Sequence, residues 1–328
     1  MTGFKLSLTS QEESFLLDAY RTGDIGEGKY ISKFEEAWSN YNTKKYGVAC
    51  NSGTSALYLA LLALGVGPGD EVIVPEFTMI STAWAVTYTG ATPVFVDCDD
   101  TLNIDPELIA EAVTDKTKAI IPVHIYGRRC NMEAINEIAV ENDLYVVEDM
   151  AEAHGIKPIG DIACYSFYSS KIIGIGNGGM CLTDNVIWAS EMRKLANLYL
   201  DKERTMIHEK VGHNLRMTNL HAAIGYGQVS RICEILKKRK QIEKWFDKHV
   251  PEEYKRPNRD VLWMYDINYT GKTDDMRYAF RPMSEQPMYR VDYYPYLKAY
   301  KYSKTVRYLV VWTDMTEEDV KEICSQLK

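Results

Sequence analysis

Three short stretches of this chain carry side chains that could do chemistry. In "SFYSSKIIGIGNGG" (166–179) a single lysine, Lys171, stands between hydroxyls and glycines, just after the apolar run "DIACYSFY". A lysine in such a place is often a solvated surface group. Held partly out of water it loses basicity, and its neutral amine attacks carbonyls. Ser166 lies five residues earlier, where its hydroxyl can hold a phosphate oxygen or simply bond a neighbouring strand. In "NSGTSAL" (51–57) a turn of Gly53, Thr54 and Ser55 enters a helix after a strand. Free N–H groups and the helix dipole make that turn an anion site, although an ordinary capped helix reads the same way. In "VVEDMAEAHG" (146–155) Asp149 closes an apolar strand, either to cap the next loop or to face a cationic ring nitrogen.

Each stretch alone is a weak signal. Their order is an anion cradle, then an aspartate, then Ser-x-x-x-x-Lys. That is the set pyridoxal 5'-phosphate needs: a phosphate anchor, a partner for the pyridinium nitrogen and an amine for the aldehyde. In this reading Asp149 keeps the ring nitrogen protonated. Lys171 first holds the cofactor; once displaced by a donor amine, it carries the proton between substrate carbon and cofactor.

The elements that must position these groups follow from periodicity. Strands are expected at "YGVAC", "DEVIVP", "TPVFVD", "KAIIPVHIYG", "YVVED", "ACYSFY" and "GMCLTD". Between the first five lie "SGTSALYLALLALG", "TMISTAWAVTYTG", "DPELIAEAV" capped by Asp105, and "NMEAINEIAVENDL", all helical in pattern. Near-continuous apolar strands alternating with helices predict an α/β fold, a mostly parallel central sheet with helices on both faces. Chemistry then belongs at the carboxyl ends of the strands, where Asp97, His124 and Asp149 fall. Two helices are expected next, over "NVIWASEMRKLANLYL" and over "NLHAAIGYGQVSRICEILKKRKQIEKWFDKHV", the second long enough to bridge domains. Pro251 and Pro257 mark a boundary between a large domain, 1–249, and a small α+β domain, 250–328. In the latter, "LWMYDINYTG" and "VRYLVVWTD" read as strands and "TEEDVKEICSQLK" as a helix capped by Thr316.

Composition narrows the partners. A net charge of −8 and a pI near 5.4 argue against nucleic acid. The densest basic run, "KKRK" at 237–240, is expected on a solvated helix face. Without an apolar h-region or an 18-residue apolar run, the chain is expected to be cytoplasmic, with no membrane partner. Seven scattered cysteines without C-x-x-C disfavour a metal site and fit reduced thiols.

The chain resembles the sugar-nucleotide aminotransferases of the DegT/DnrJ/EryC1/StrS group, within the PLP-dependent transferase fold type I (aspartate aminotransferase-like). It looks nearest to the perosamine-forming branch. The likeness runs from "GKYISKFEEAW" (28–38) to around residue 245, through "NSGTSALYLALLALGVGPGDEVIVP", "YTGATPVFVD", "TKAIIPVHIYG", "EDMAEAHG", "GDIACYSFYSSK", "GNGGMCLTD" and "GHNLRMTNLHAAIG". The resemblance implies that Gly53, Thr54 and Ser55 form the phosphate turn, with Ser166 as a further phosphate ligand. It implies that Asp149 faces the pyridine nitrogen, that Glu152 lies near the ring hydroxyl and that Lys171 is the Schiff-base lysine. It further implies that Asn214 reaches the phosphate across the interface of an obligate homodimer with shared active sites. His124, in "PVHIYG", is structural or lines the substrate pocket; Arg281, in "MRYAFRPM", contacts the sugar or its diphosphate. The implied reaction moves the amino group of L-glutamate to C-4 of a nucleotide-linked 4-keto-6-deoxyhexose. The product is a 4-amino-4,6-dideoxy sugar nucleotide of the GDP-perosamine or UDP-viosamine type.

Three features depart from the family pattern. Met79 stands where an aromatic residue usually stacks on the cofactor ring, and a thioether packs there less strongly. The stretch between "EAHG" and "GDIACYSF" is short, and the chain after 250 is compressed. Competing readings are a 3-aminotransferase, a 3-dehydratase of the same group, a non-catalytic PLP-fold protein and a dinucleotide-binding dehydrogenase. Lys171 argues against the dehydratase, whose lysine is replaced by histidine. Asp149 and Lys171 together argue against lost catalysis. "GIGNGG" precedes a strand rather than opening a helix, which argues against the dehydrogenase.

Overall fold

The computed structural model describes residues 6–200, 203, 205–290 and 296–327. Its central sheet contains β1 (Tyr46–Cys50), β2 (Glu71–Pro75), β3 (Thr92–Val96), β4 (Thr117–Ile120), β5 (Tyr145–Asp149), β6 (Ile162–Ser166) and β7 (Gly179–Thr183). The spatial order is β1-β7-β6-β5-β4-β2-β3. Six strands share one direction, and β7 runs antiparallel to both β1 and β6.

Alternation along the strands explains why both faces are covered. Val48 and Cys50 pack with Leu57, Leu61 and Met192, while Ala49 between them packs with Phe34, Trp38 and Phe167. Burying each large apolar side chain contributes roughly 1.5–3 kcal/mol. The helices begin and end where their caps say. Ser52 accepts from the Ser55 N–H, Asp105 from the Glu107 N–H and Asn131 from the Ala134 N–H. Gly90, in the left-handed region at φ +83°, stops the helix Ile80–Thr89. Two N-terminal helices, Ser10–Thr22 and Lys29–Tyr41, pack beside the helix Asn219–Ser230.

Several expected elements are shorter than their patterns. The strand expected over "KAIIPVHIYG" ends at Ile120, because Pro122 offers no N–H to the ladder; a 3-10 turn, Ile125–Gly127, follows. The helix after Asn185 stops at Ala196, and Leu198 and Tyr199 take positive φ. The long bridging helix is two helices, Asn219–Ser230 and Ile232–His249, broken at Arg231 (φ −121°, ψ 22°). "KKRK" is not wholly solvated: Arg239 is buried and donates to the carbonyls of Leu262 and Trp263. Helical spacing puts it on the inner face with Ile235 and Ile242.

Beyond His249 lie β8 (Tyr265–Asn268), β9 (Met276–Tyr278) and β10 (Val306–Leu309), antiparallel in the order β8-β10-β9. The helix Glu317–Ser325 carries a capping box between Thr316 and Asp319. Leu262, Met264 and Val306 share one apolar cluster with Phe34, Tyr126 and Ile235. This C-terminal segment is therefore packed onto the core around the sheet.

Candidate active site

Strand register assembles the site. At one edge of the sheet Cys50 of β1, Gly179 of β7 and Ser166 of β6 lie in a row, and Asp149 of β5 pairs with Cys164 of β6. The chain leaving β1 turns over Gly179 and enters the helix Gly53–Ala63. A Cβ on Gly179 would come within 2.1 Å of the Ser52 carbonyl oxygen, and one on Gly53 within 2.7 Å of Ser166 Cβ. Only glycine at both positions lets the turn and Ser166 close on one another. The Gly53 and Thr54 N–H groups, at the start of that helix, have no partner inside it, and both residues line one cavity with Ser166, an arrangement suited to an anion.

A cavity of about 460 Å³ opens over this edge. Of the residues singled out in the sequence, Gly53, Thr54, Met79, Asp149, Glu152, Ser166 and Lys171 line it. Ser55 does not: its hydroxyl donates to Asn51 Oδ1 at 2.6 Å and lies 2.9 Å from Ser52 Oγ. Ser52 takes its place at the cavity wall. Its N-cap position just before Gly53 was the signal for it.

Asp149 is 5% exposed. Thr82 Oγ1 donates to its Oδ2 at 3.1 Å, and the Ala151 N–H donates to its Oδ1 at 3.0 Å. Burial pushes its pKa up, with those bonds and Lys171 opposing. A desolvated carboxylate of this kind is stabilised by a cation brought against it. The Lys171 side chain is 13% exposed, and its Nζ lies 3.9 Å from Glu152 Oε1, beyond hydrogen-bond reach. Burial lowers its pKa, while Glu152 and Asp149 pull it back up. Burial likewise raises the pKa of Glu152, whose Oε2 accepts from the Tyr126 N–H at 2.8 Å. Tyr126 takes the left-handed conformation (φ +51°) in its 3-10 turn. At Gly127 a Cβ would meet the Val261 carbonyl oxygen at 1.9 Å.

Three expected contacts lie away from this cavity. His124 is fully buried; its Nδ1 accepts from the Cys130 N–H, so Nε2 is the nitrogen that donates to Glu148 Oε2 at 2.9 Å. It is a structural strut joining the loop after β4 to β5, not a substrate contact. Arg281 points outward and bonds Glu285 at 3.0 Å, while its neighbour Phe280 faces the cavity. Asn214 is exposed and accepts from Arg216 Nε.

The sequence reading missed one wall. Trp263, Phe280 and Tyr308 come from the C-terminal segment to line the cavity opposite the sheet edge. Tyr126 stacks on Phe280 at 5.7 Å and on Trp263 at 6.0 Å. No local pattern marks these residues, because their partners are far away in sequence.

The residues present fit pyridoxal phosphate: a glycine-shaped anion turn, a buried carboxylate short of a counter-charge and a desolvated amine share one cavity. A mostly parallel sheet bearing that set at its carboxyl edge defines a PLP-dependent aminotransferase of fold type I. Residues 7–263 match the DegT/DnrJ/EryC1/StrS aminotransferase family, and the chain belongs to it. It is 42% identical to the GDP-perosamine synthase of Caulobacter vibrioides, over 79% of this chain and 75% of that protein. It is 30% identical to the GDP-perosamine synthase of Vibrio cholerae, over 99% of this chain and 97% of that one. A sugar aminotransferase structure from Streptococcus pneumoniae in its PLP form superposes with a TM-score of 0.92. The two are 25% identical, over 99% of this chain and 97% of that one.

Proposed function

We propose that this enzyme transfers the amino group of L-glutamate to C-4 of a nucleotide-linked 4-keto-6-deoxyhexose. The product is a 4-amino-4,6-dideoxy sugar nucleotide of the GDP-perosamine or UDP-viosamine type, used for glycan synthesis. The observation that carries the chemistry is the buried Lys171 amine, without a bonded carboxylate, sharing a cavity with the buried Asp149 carboxylate. The choice of C-4 is supported by perosamine-forming relatives that match along 79% and 99% of the chain.

When bound, pyridoxal phosphate supplies a carbonyl that takes up the donor's amino group and a ring that withdraws electrons. The turn of Gly53 and Thr54, with Ser52 and Ser166, holds the phosphate. Asp149, oriented by Thr82, keeps a proton on the ring nitrogen. Lys171 Nζ anchors the cofactor and, when free, moves the proton at the reacting carbon. Glu152, steadied by the Tyr126 N–H, would bond the ring hydroxyl. Met79, 53% exposed, covers one approach to the cavity.

The working unit in this proposal is a homodimer. Among the described residues, Lys171 is the one Lys or Arg lining the cavity. A sugar diphosphate and the two carboxylates of glutamate call for more cationic donors than that. A second copy supplies them, and its Asn214 reaches the phosphate turn. Met206, Ile207 and Val211, which precede Asn214, are exposed apolar residues that such an interface would cover. The seven unpaired cysteines, six of them buried, suit a reducing compartment, and we place the enzyme in the cytoplasm. Among the described residues, no helix is long and apolar enough to cross a membrane.

The test is mass spectrometry of products from a panel of GDP-, UDP- and dTDP-linked 4-keto and 3-keto sugars with glutamate. Amination of a 4-keto substrate is expected. Amination of 3-keto substrates alone would move the enzyme to the 3-aminotransferases. Bound cofactor with no product from any member of the panel would indicate a non-catalytic protein.

A further inference from the structure

The nearest partner of the Lys171 ammonium on the C-terminal side of the cavity is an aromatic face. Its Nζ lies 4.0 Å from the centroid of the Trp263 ring. The indole is fixed independently of the lysine. Its Nε1–H donates to the Ser170 carbonyl at 2.8 Å, and its own carbonyl accepts from Arg239 Nη1 at 2.9 Å. Tyr126 stacks with it at 6.0 Å and 16°, and Tyr308 packs at 6.1 Å. Because Ser170 directly precedes Lys171, the indole is tied to the same loop that carries the amine. A rigid, desolvated face at this distance attracts an ammonium and has no comparable attraction for a neutral amine.

We infer that Trp263 is the positioning residue of Lys171: its indole face holds the free ammonium between itself and Glu152 whenever the lysine is not joined to the cofactor. This rests on the proposed role of Lys171. The consequence is a division of labour around one amine. Burial pushes the lysine toward its neutral form, whereas Glu152, Asp149 and the indole pull it back toward ammonium. The other groups near it are accounted for. His154 is buried and held neutral, Arg239 borders the small polar cavity behind the lysine, and burial keeps the Tyr126 and Tyr308 phenols protonated. Of these groups, the indole is the one whose removal lowers the basicity of Lys171 without changing any formal charge.

The experiment measures how fast Lys171 is acylated, as a function of pH, in the full-length chain freed of cofactor, with peptide mass spectrometry reading the site. Only the neutral amine reacts, so the midpoint reports its pKa. Trp263→Leu is expected to move the midpoint down by about 1 pH unit, which is tenfold faster labelling at pH values below both midpoints. Trp263→Phe, which keeps a ring face, is expected to shift it by less than half as much. Simply admitting water would relieve burial and move the midpoint up, so the sign separates the two effects. An unchanged or raised midpoint in Trp263→Leu overturns the inference. Should that variant fail to fold, a fluorinated tryptophan placed at 263 keeps the shape and withdraws ring electrons; the same downward shift is expected, and its absence is decisive. Borohydride reduction of the loaded wild-type enzyme, with mapping of the trapped cofactor, tests the underlying assignment separately. Cofactor on a different lysine removes the role of Lys171. Cofactor on Lys171 with no downward shift removes the role of Trp263 alone.

Discussion

The cavity has two sides made by different means. Its floor is the carboxyl edge of the sheet, where Ser52, Gly53, Asp149 and Ser166 stand at positions set by strand register. Its far wall is Trp263, Phe280 and Tyr308, set by packing on Tyr126. The floor is polar and carries groups that titrate. The wall is aromatic and alters those groups by excluding water and presenting ring faces. Register leaves little freedom, since a one-residue slip turns a side chain to the other face. Aromatic packing has more room to adjust. The comparison teaches that changes on the floor should stop the chemistry, whereas changes on the wall or seam should tune it.

The sharpest way to break that contrast is on the floor. Lys171→Ala should abolish turnover and remove the absorbance band of the linked cofactor. Measurable transamination by purified Lys171→Ala would assign the amine chemistry elsewhere. Asp149→Asn should follow, with kcat falling roughly 10²-fold and the cofactor held more weakly, because the neutral amide cannot favour a protonated ring. An unchanged kcat in steady-state assays would mean that a different group protonates the ring.

The seam between the two sides offers a pH-dependent test. Glu76, at the end of β2, accepts from the N–H and hydroxyl of Ser284 in the C-terminal segment, and its Oε2 is buried without a partner among the described residues. Burial pushes its pKa from 4.5 up to about 7, against the Ser284 bonds. The folded state then holds a proton that the unfolded state has released between those values. Its contribution to stability is fully present below pH 4.5 and is lost as pH rises through about 7. Glu76→Gln should flatten that slope and leave the variant more stable at pH 8, by up to roughly 3 kcal/mol on linkage grounds. Urea unfolding midpoints compared at pH 5 and pH 8 check this. Parallel slopes for the two proteins would show that the seam does not titrate there.

The smallest effect belongs to Met79, on the floor's exposed rim. Met79→Tyr should tighten cofactor binding by about 0.5–1.5 kcal/mol, the usual worth of an aromatic pair. Equal affinities by fluorescence titration would mean that a neighbour such as Trp84, which also lines the cavity, already covers the ring.

How much of this was legible beforehand varies with distance along the chain. The floor was legible because strand, turn and helix signals are local: "NSGTSAL" and "YVVED" gave both the element and the edge. Ser55 lies off the cavity wall, bonded to Asn51, because spacing alone does not say which hydroxyl of the turn caps the helix and which faces the cavity. For His124 the structural alternative is the one the geometry favours, and Arg281 lies away from the described cavity. A strand-end histidine reads the same whether it faces a cavity or Glu148, and nothing in the local sequence says that Arg281 pairs with Glu285. The long helix was over-read because nothing in its apolar spacing announces the break at Arg231.

By itself, the order of residues determined the parallel sheet, the edge on which chemistry sits, and the lysine and aspartate that share it. Those follow from periodicity and from side-chain acidity, which act over a few residues. Only the tertiary structure decided what encloses that edge: the indole against Lys171, the phenylalanine beside it, and the buried arginine that fixes the indole's backbone. The indole's bond to the lysine loop joins residues 93 positions apart, and even the arginine reaches across 24. The energies of such contacts depend on shape and on exclusion of water, properties that exist only once the chain has closed on itself.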